Sequence, residues 1–164
     1  MLQATTLDHA KVRLELTSHE HLEGLKIACM DGDLDQLWYT MIPNANNMAA
    51  EIDRRLGLYE QGKMVPYTII QKTNYGEQII GMTTFMNVEH TATYNRVEIG
   101  STWFAKSAQR NGINTIVKHM MLTHAFEEWK CIAVEFRTHR LNQQSRAAIE
   151  RLGAQLDGIL RAHA

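Results

Sequence analysis

The residues with most chemical promise lie along one strand, loop and helix start: EIGSTWF at 98–104, AKSAQRNGIN at 105–114, then a helix. The first turn of a helix leaves backbone N–H groups unpaired and carries the positive end of the helix dipole, so it can hold a phosphate or pyrophosphate. Gly112 lets the backbone come close to such a ligand, and Arg110 can add charge. An Asn-Gly pair also serves simply to turn the chain, and on these residues alone that is its commoner use. A second segment, Asn142-Gln143-Gln144-Ser145, follows a short apolar run. Asn142 suits an N-cap. The alternative has Asn142 and Ser145 facing a ligand at the carboxyl ends of neighbouring strands, a recurrent position in α/β sheets. The two readings stay open at this level.

The histidines and cysteines offer less. His119 and His124 stand five apart, and His19 and His21 two apart. On a helix neither spacing puts two rings on one face, so no metal site is expected. Cys29 and Cys131 carry no metal-ligand spacing and cannot build a disulfide framework. They read as small apolar core residues of a reducing compartment. With Cys131 in a strand core, covalent catalysis through its thiol is not expected.

These residues need elements to position them. The 164 residues suit one domain, 1–164, with 45% hydrophobic and 21% charged residues. Seventeen basic against eighteen acidic residues leave a formal net charge of -1, which gives no field to hold a nucleic acid. Arg137, Arg140, Arg146 and Arg151 could still grip a few phosphates. No apolar run approaches the roughly 20 residues that span a bilayer, and Met1–Ala10 lacks a secretory signal pattern. A cytoplasmic protein without membrane partners is the expectation.

Lys11–Leu16 alternates charged and apolar residues, the mark of a half-buried strand. Thr17 or Ser18 offers an N-cap, with Glu20 in capping-box position after Thr17, for a helix running to about Asp31. A second helix carries Met48, Ile52, Leu56 and Tyr59 on one face and stops at Gly62. Tyr67–Ile70 and Gln78–Phe85 form a hairpin about Asn74-Tyr75-Gly76, and Arg96–Phe104 is a further strand. Ile113, Ile116, Val117, Met120, Met121 and Ala125 mark a long amphipathic helix. Cys131–Phe136 is a strand, Asn142 starts a helix ending at Leu152-Gly153, and Gln155–Leu160 starts a final strand. The order β-α-α-β-β-β-α-β-α-β implies an α/β (α+β) domain, a mixed sheet with helices on its faces.

The segments VEIGSTWFAKSAQRNGIN, LTHAFEEWKCIAVEFRTH and NQQSRAAIERLGAQLDGILR, in this order and spacing, resemble the RimJ/RimL-like branch of the GNAT superfamily of N-acetyltransferases. Gln109-Arg110-Asn111-Gly112-Ile113-Asn114 is similar to that superfamily's pyrophosphate loop, Gln/Arg-x-x-Gly-x-Gly/Ala. Asn in the last place departs from the general pattern, while Gly-x-Asn followed by a helical lysine, here Lys118, matches the subgroup. The likeness is good over about two-thirds of the chain and loose in the N-terminal helices.

The resemblance implies a GNAT fold with a mixed, mostly antiparallel sheet, and acetyl-CoA as co-substrate without a metal. Acetyl-CoA would lie in a splay between the strand ending near Phe104 and the strand ending near Arg137. Gln109, Arg110, Asn111, Gly112, Ile113 and Asn114 would hold the pyrophosphate. Trp103, Phe104 and Ala105 would pair with the pantetheine arm through main chain. Asn142 would contact the cofactor, and Ser145 its sulfur. Direct attack by a neutral amine needs a base, oxyanion donors and a protonated leaving thiolate. A backbone N–H from Trp103 to Ala105 is the expected oxyanion donor, and Glu98, acting through water, the expected base. Glu98 could instead be a solvent-facing strand residue paired with Arg96 or Arg137. His139 either faces the acceptor or is an ordinary loop residue, and Glu127-Glu128 with Asp31, Asp33 and Asp35 could attract a cationic one.

The acceptor implied is a primary amine, a protein N-terminus or a small molecule. Chains of this kind usually continue past LDGILR with further strands. Their absence here leaves an edge for a partner, so a homodimer is expected. A non-catalytic CoA-binding or interaction module of the same fold is the competing reading, and a ligand-free structural domain ranks last.

Overall fold

Val12 and Leu14, the apolar members of the alternating run, are fully buried, and Val12–Leu16 forms strand β2. A two-residue strand β1, Leu7–Asp8, pairs antiparallel on its outer side. Thr17 donates its backbone N–H to Pro66 and so still belongs to the sheet. The cap of the next helix therefore falls on Ser18, not on Thr17 with Glu20. Ser18 gives its N–H to Nδ1 of His21, and a 3-10 turn over His19–His21 leads into α1, Leu22–Met30. The Thr17 hydroxyl instead accepts from Thr68 at 3.1 Å inside the protein. Thr17→Val should cost about 1–3 kcal/mol, the penalty for stranding a buried hydroxyl, read as a lower midpoint in urea unfolding.

The computed structural model describes residues 2–32, 42–138 and 141–160. Asp33, Asp35, His139, Arg140 and Arg161 lie outside them. Asn44 caps a 3-10 turn before α2, Met48–Glu60, which buries Met48, Ile52 and Arg55. Arg55 interrupts an otherwise apolar stripe and pairs with Glu51, 2.9 Å away one turn earlier. Strands β3 (Val65–Thr73), β4 (Gly76–His90) and β5 (Asn95–Phe104) are a meander. Each is longer than expected, because ladder pairing carries the polar ends along. The first turn, Asn74-Tyr75, is as expected.

Helix α3, Ile113–Thr123, buries Ile113, Val117 and Met121 against the sheet. It then widens into a π turn over His124–Glu128, where the imidazole of His124 packs 4.6 Å from the Trp129 ring. Strand β6, Cys131–Phe136, follows, and Cys131 is buried with its thiol pKa pushed up by desolvation. Helix α4 is Gln143–Arg151. The sheet order is β1-β2-β3-β4-β5-β6, antiparallel throughout except for the parallel pair β5–β6.

One expected element is corrected. Gln155–Leu160 forms no strand: 154–160 has no regular structure, and Leu156, Ile159 and Leu160 stand exposed. A strand exists only where a neighbour takes its N–H and C=O groups, and this segment has no ladder among the described residues. No helix among them is long and apolar enough to cross a membrane.

Candidate active site

The site is built where β5 outruns β6. Their parallel pairing stops at Ile99 opposite Phe136, and Gly100–Phe104 continues with one edge open. Two irregularities shape this stretch. The β4–β5 register shifts between Met82 and Thr84, opposite Ser101 (φ 48), and between Met86 and Glu89, which flank Asn87 (φ 46). Positive φ at a non-glycine residue is costly and persists only where surroundings enforce it. Here hydroxyls enforce it: Thr84 donates to the Gly100 carbonyl at 2.9 Å, and Thr102 donates to the same oxygen. At Gly81 an added Cβ would lie 2.0 Å from the Trp103 carbonyl oxygen, so only glycine admits this approach of β4 to β5.

Of the three main-chain donors expected at the strand end, Ala105 is removed. Its N–H is spent on the Ile80 carbonyl at 2.7 Å, inside the sheet. Successive strand residues point their N–H groups to opposite edges, so that of Phe104 turns to the open side. The Phe104 carbonyl accepts from the Gln109 side chain at 3.1 Å. Trp103 is buried, and its indole N–H has no acceptor among the described residues.

The following loop curls through two left-handed residues, Arg110 (φ 60) and Gly112 (φ 84). A Cβ at Gly112 would meet only open space, so glycine is there for its conformation, and the space above it is accessible. Two expected donors are already used. Gln109 gives its N–H to Lys106, and Ile113 to the Asn111 side chain at 3.1 Å. The N–H groups of Arg110, Asn111, Gly112 and Asn114 have no acceptor among the described residues. They stand at the positive end of α3, the arrangement that receives a phosphate. Asn114 adds a buried side-chain oxygen without a partner among the described residues. The residues present therefore fit a pyrophosphate-bearing ligand.

The sequence matches the family Acetyltransferase (GNAT) domain over residues 11–155. The chain belongs to the GNAT acetyltransferases. It is accordingly an acyl-transferring enzyme. None of the curated protein sequences matches it. Among solved structures, a GCN5-related N-acetyltransferase from Brucella melitensis is 23% identical, with a TM-score of 0.83 over 99% of this chain and 73% of that one. The ribosomal L7/L12 alpha-N-protein acetyltransferase RimL, in complex with coenzyme A, is 18% identical with a TM-score of 0.77 over 94% and 86%. The microcin C7 self-immunity acetyltransferase MccE, in complex with acetyl-CoA and AMP, is 19% identical with a TM-score of 0.78 over 95% and 85%. These likenesses bear on the fold.

In this acetyltransferase Glu98 is not solvent-facing. It is 5% exposed, accepts from the Asn87 side chain at 2.6 Å, and has the Arg137 guanidinium at 3.6 Å. Arg96 pairs with Glu135 instead. The bulge at Asn87 thus serves Glu98, a partner that spacing alone did not reveal. Asn142 accepts the Ser145 N–H on its side-chain oxygen at 3.1 Å, which is the N-cap reading; both residues are half-buried at the start of α4.

The Asp31 carboxylate accepts from the N–H and hydroxyl of Ser107 on one oxygen, Oδ2, and these bonds hold its pKa below the usual range. It ties the end of α1 to the turn after β5. Glu127 and Glu128 are exposed. No group of three potential metal ligands occurs among the described residues. The functional candidate that sequence reading left as a mere family mark is Lys118, which is buried between α3 and the sheet.

Proposed function

We propose that this single-domain chain transfers the acetyl group of acetyl-CoA to a primary amine by direct attack within a ternary complex. One observation carries the reading: a loop with four N–H groups unpaired among the described residues, at the start of α3, lies next in sequence to the open edge of β5. An extended, polar, polyanionic thioester needs both, one for its phosphates and one for its amide arm. Gln109 to Asn114 form the pyrophosphate cradle, with Gln109 and Ile113 contributing shape but no N–H. Phe104 offers main chain to the pantetheine, while Trp103 and Ala105 turn their N–H groups to β4 and close the strand. Asn142 and Ser145 flank the cofactor from α4, with Ser145 assigned to the sulfur.

In the reaction the amine nitrogen forms a bond to the acyl carbon and the carbon–sulfur bond breaks. Glu98 takes the amine proton through a water molecule. The Phe104 N–H, on the open edge, is the candidate oxyanion donor. The thiolate leaves with a proton from Ser145, which solvent restores. The RimL neighbour acts on a ribosomal protein α-amine, which makes a protein N-terminus the first acceptor to try. Exposed Ile132, Leu156, Ile159 and Leu160 support a second copy of this chain as a partner, checked by sedimentation.

The test is calorimetric titration with acetyl-CoA, for wild type and for Gly112→Trp. Wild type should bind saturably. The variant should lose binding by about a hundredfold or more, since a bulky side chain at positive φ both strains the loop and fills the space above it. Absence of wild-type binding would remove the acetyl-CoA reading. A bound wild type is then mixed with peptides bearing free or blocked N-termini. Acetyl gain by the free peptides alone identifies the acceptor class.

A further inference from the structure

Lys118 lies on the inward, otherwise apolar face of α3. Helix α3 turns it inward with Val117 and Met121, leaving it 6% exposed. Its ammonium donates to the hydroxyl of Thr83 on β4 at 3.1 Å and to the hydroxyl of Thr102 on β5. The two hydroxyls lie 2.7 Å apart, and Thr83 also donates to the Met121 sulfur. Thr102 in turn donates to the Gly100 carbonyl. A continuous polar chain therefore runs from α3 to the bulge at Ser101, on the stretch of β5 whose edge is open.

Among the described residues no carboxylate compensates this lysine. Through the strand pairings, its face of the sheet carries Leu14, Tyr67, Ile69 and Phe85. The titratable groups there are Tyr67, whose hydroxyl is spent on the Thr5 carbonyl, and His124 beyond the end of α3. Burial raises the Tyr67 pKa and lowers that of His124, so both are neutral above pH ~7. Burial alone brings the Lys118 pKa down to about 7. A buried ionisable side chain without a counter-charge is costly, and such a residue is a candidate for a task at the site.

We propose that Lys118 is a positioning residue for acyl transfer: through Thr102 it holds the bulge of β5 in the shape that presents the open edge to the acyl-pantetheine arm. The inference rests on the acetyl-CoA reading above. It has a consequence that a purely structural lysine would not share. A polyanionic ligand at the start of the same helix favours the ammonium over the neutral amine. Binding near neutral pH therefore takes up protons at Lys118, by reciprocal linkage.

The experiment is titration of the full chain with acetyl-CoA near neutral pH in buffers of different ionisation heat, which counts protons exchanged. Wild type should take up a fraction of a proton that Lys118→Met does not. That variant should bind about tenfold more weakly, equivalent to about 1.4 kcal/mol. Thr102→Val cuts the link while leaving the lysine; it should weaken binding and keep the proton uptake. It also carries the test if Lys118→Met fails to fold. Wild-type affinity and proton count in Lys118→Met, or wild-type affinity in Thr102→Val, would overturn the proposal. A wild type that binds no acetyl-CoA would take down the cofactor reading, and this inference with it. Binding by wild type with no difference in the variants sinks the inference alone.

Discussion

Replacing Glu98 with Gln is expected to lower acetyl transfer to a peptide amine by about 10²–10⁴-fold, the usual contribution of a positioned general base. Acetyl-CoA affinity should be little changed, because the group acts on the amine and not on the phosphates. The expectation rests on place and company. Glu98 is on the strand whose open end is the proposed acyl site, yet it is buried and held by Asn87 and Arg137. Asn87 donates to Oε2, and the Arg137 guanidinium lies 3.6 Å from the same oxygen. The amide keeps the size and the acceptor oxygen but cannot take a proton. Steady-state rates with a free-amine peptide, beside calorimetry with acetyl-CoA, separate the two effects. Unchanged turnover would leave Glu98 as a structural acceptor and send the search for a base elsewhere.

Lys118→Met should change how stability depends on pH. In the unfolded chain a lysine binds its proton up to pH ~10.4, while in the folded protein Lys118 gives it up at about 7. Between these values the unfolded state holds more protons, so wild-type stability rises with pH through this group, with a slope approaching about 1.4 kcal/mol per pH unit. Below about 7 the lysine is charged in both states, and the whole cost of burying the ammonium falls on the fold. Cys131 works against this trend at higher pH, since its raised folded pKa makes stability fall once the unfolded thiol ionises near pH ~8.5. Tyr67 does the same above pH ~10. The difference between wild type and variant removes both. Denaturant unfolding at several pH values should show the variant several kcal/mol more stable at acid pH, the gap closing as pH rises. Parallel curves would mean that Lys118 is not buried as an isolated charge.

Much of the scaffold was legible because it follows from local pattern. The alternation over Lys11–Leu16 sets the face that β2 buries, and the stripe Ile113, Val117, Met121 sets the inward side of α3. The Asn-Gly pair before that helix marks a left-handed turn with unpaired donors, which is a property of the backbone itself. Asn142 caps its helix as its residue type suggests. Other features were not legible. Thr17 looked like a helix cap, but a buried hydroxyl across the sheet, Thr68, decided the boundary. Gln155–Leu160 had strand-like residues, and only the lack of a neighbouring ladder shows that they do not form one. Asp31 looked like one of a set of solvated acids until its bonds to Ser107 were seen.

The candidate site divides in the same way. Sequence by itself determined the kind of chemistry on offer: a glycine loop opening a helix, a carboxylate on the preceding strand, and the family motifs that join them. It did so because helix termini, glycine conformations and apolar periods are set by near neighbours in the chain. The tertiary structure alone decided which donors remain unpaired, Phe104 against Ala105 and Gly112 against Ile113. It also decided that Glu98 meets Asn87, and that a lysine in an apolar stripe meets two threonines on separate strands. Those choices depend on strand register and on bulges, which are fixed by packing between residues distant in sequence.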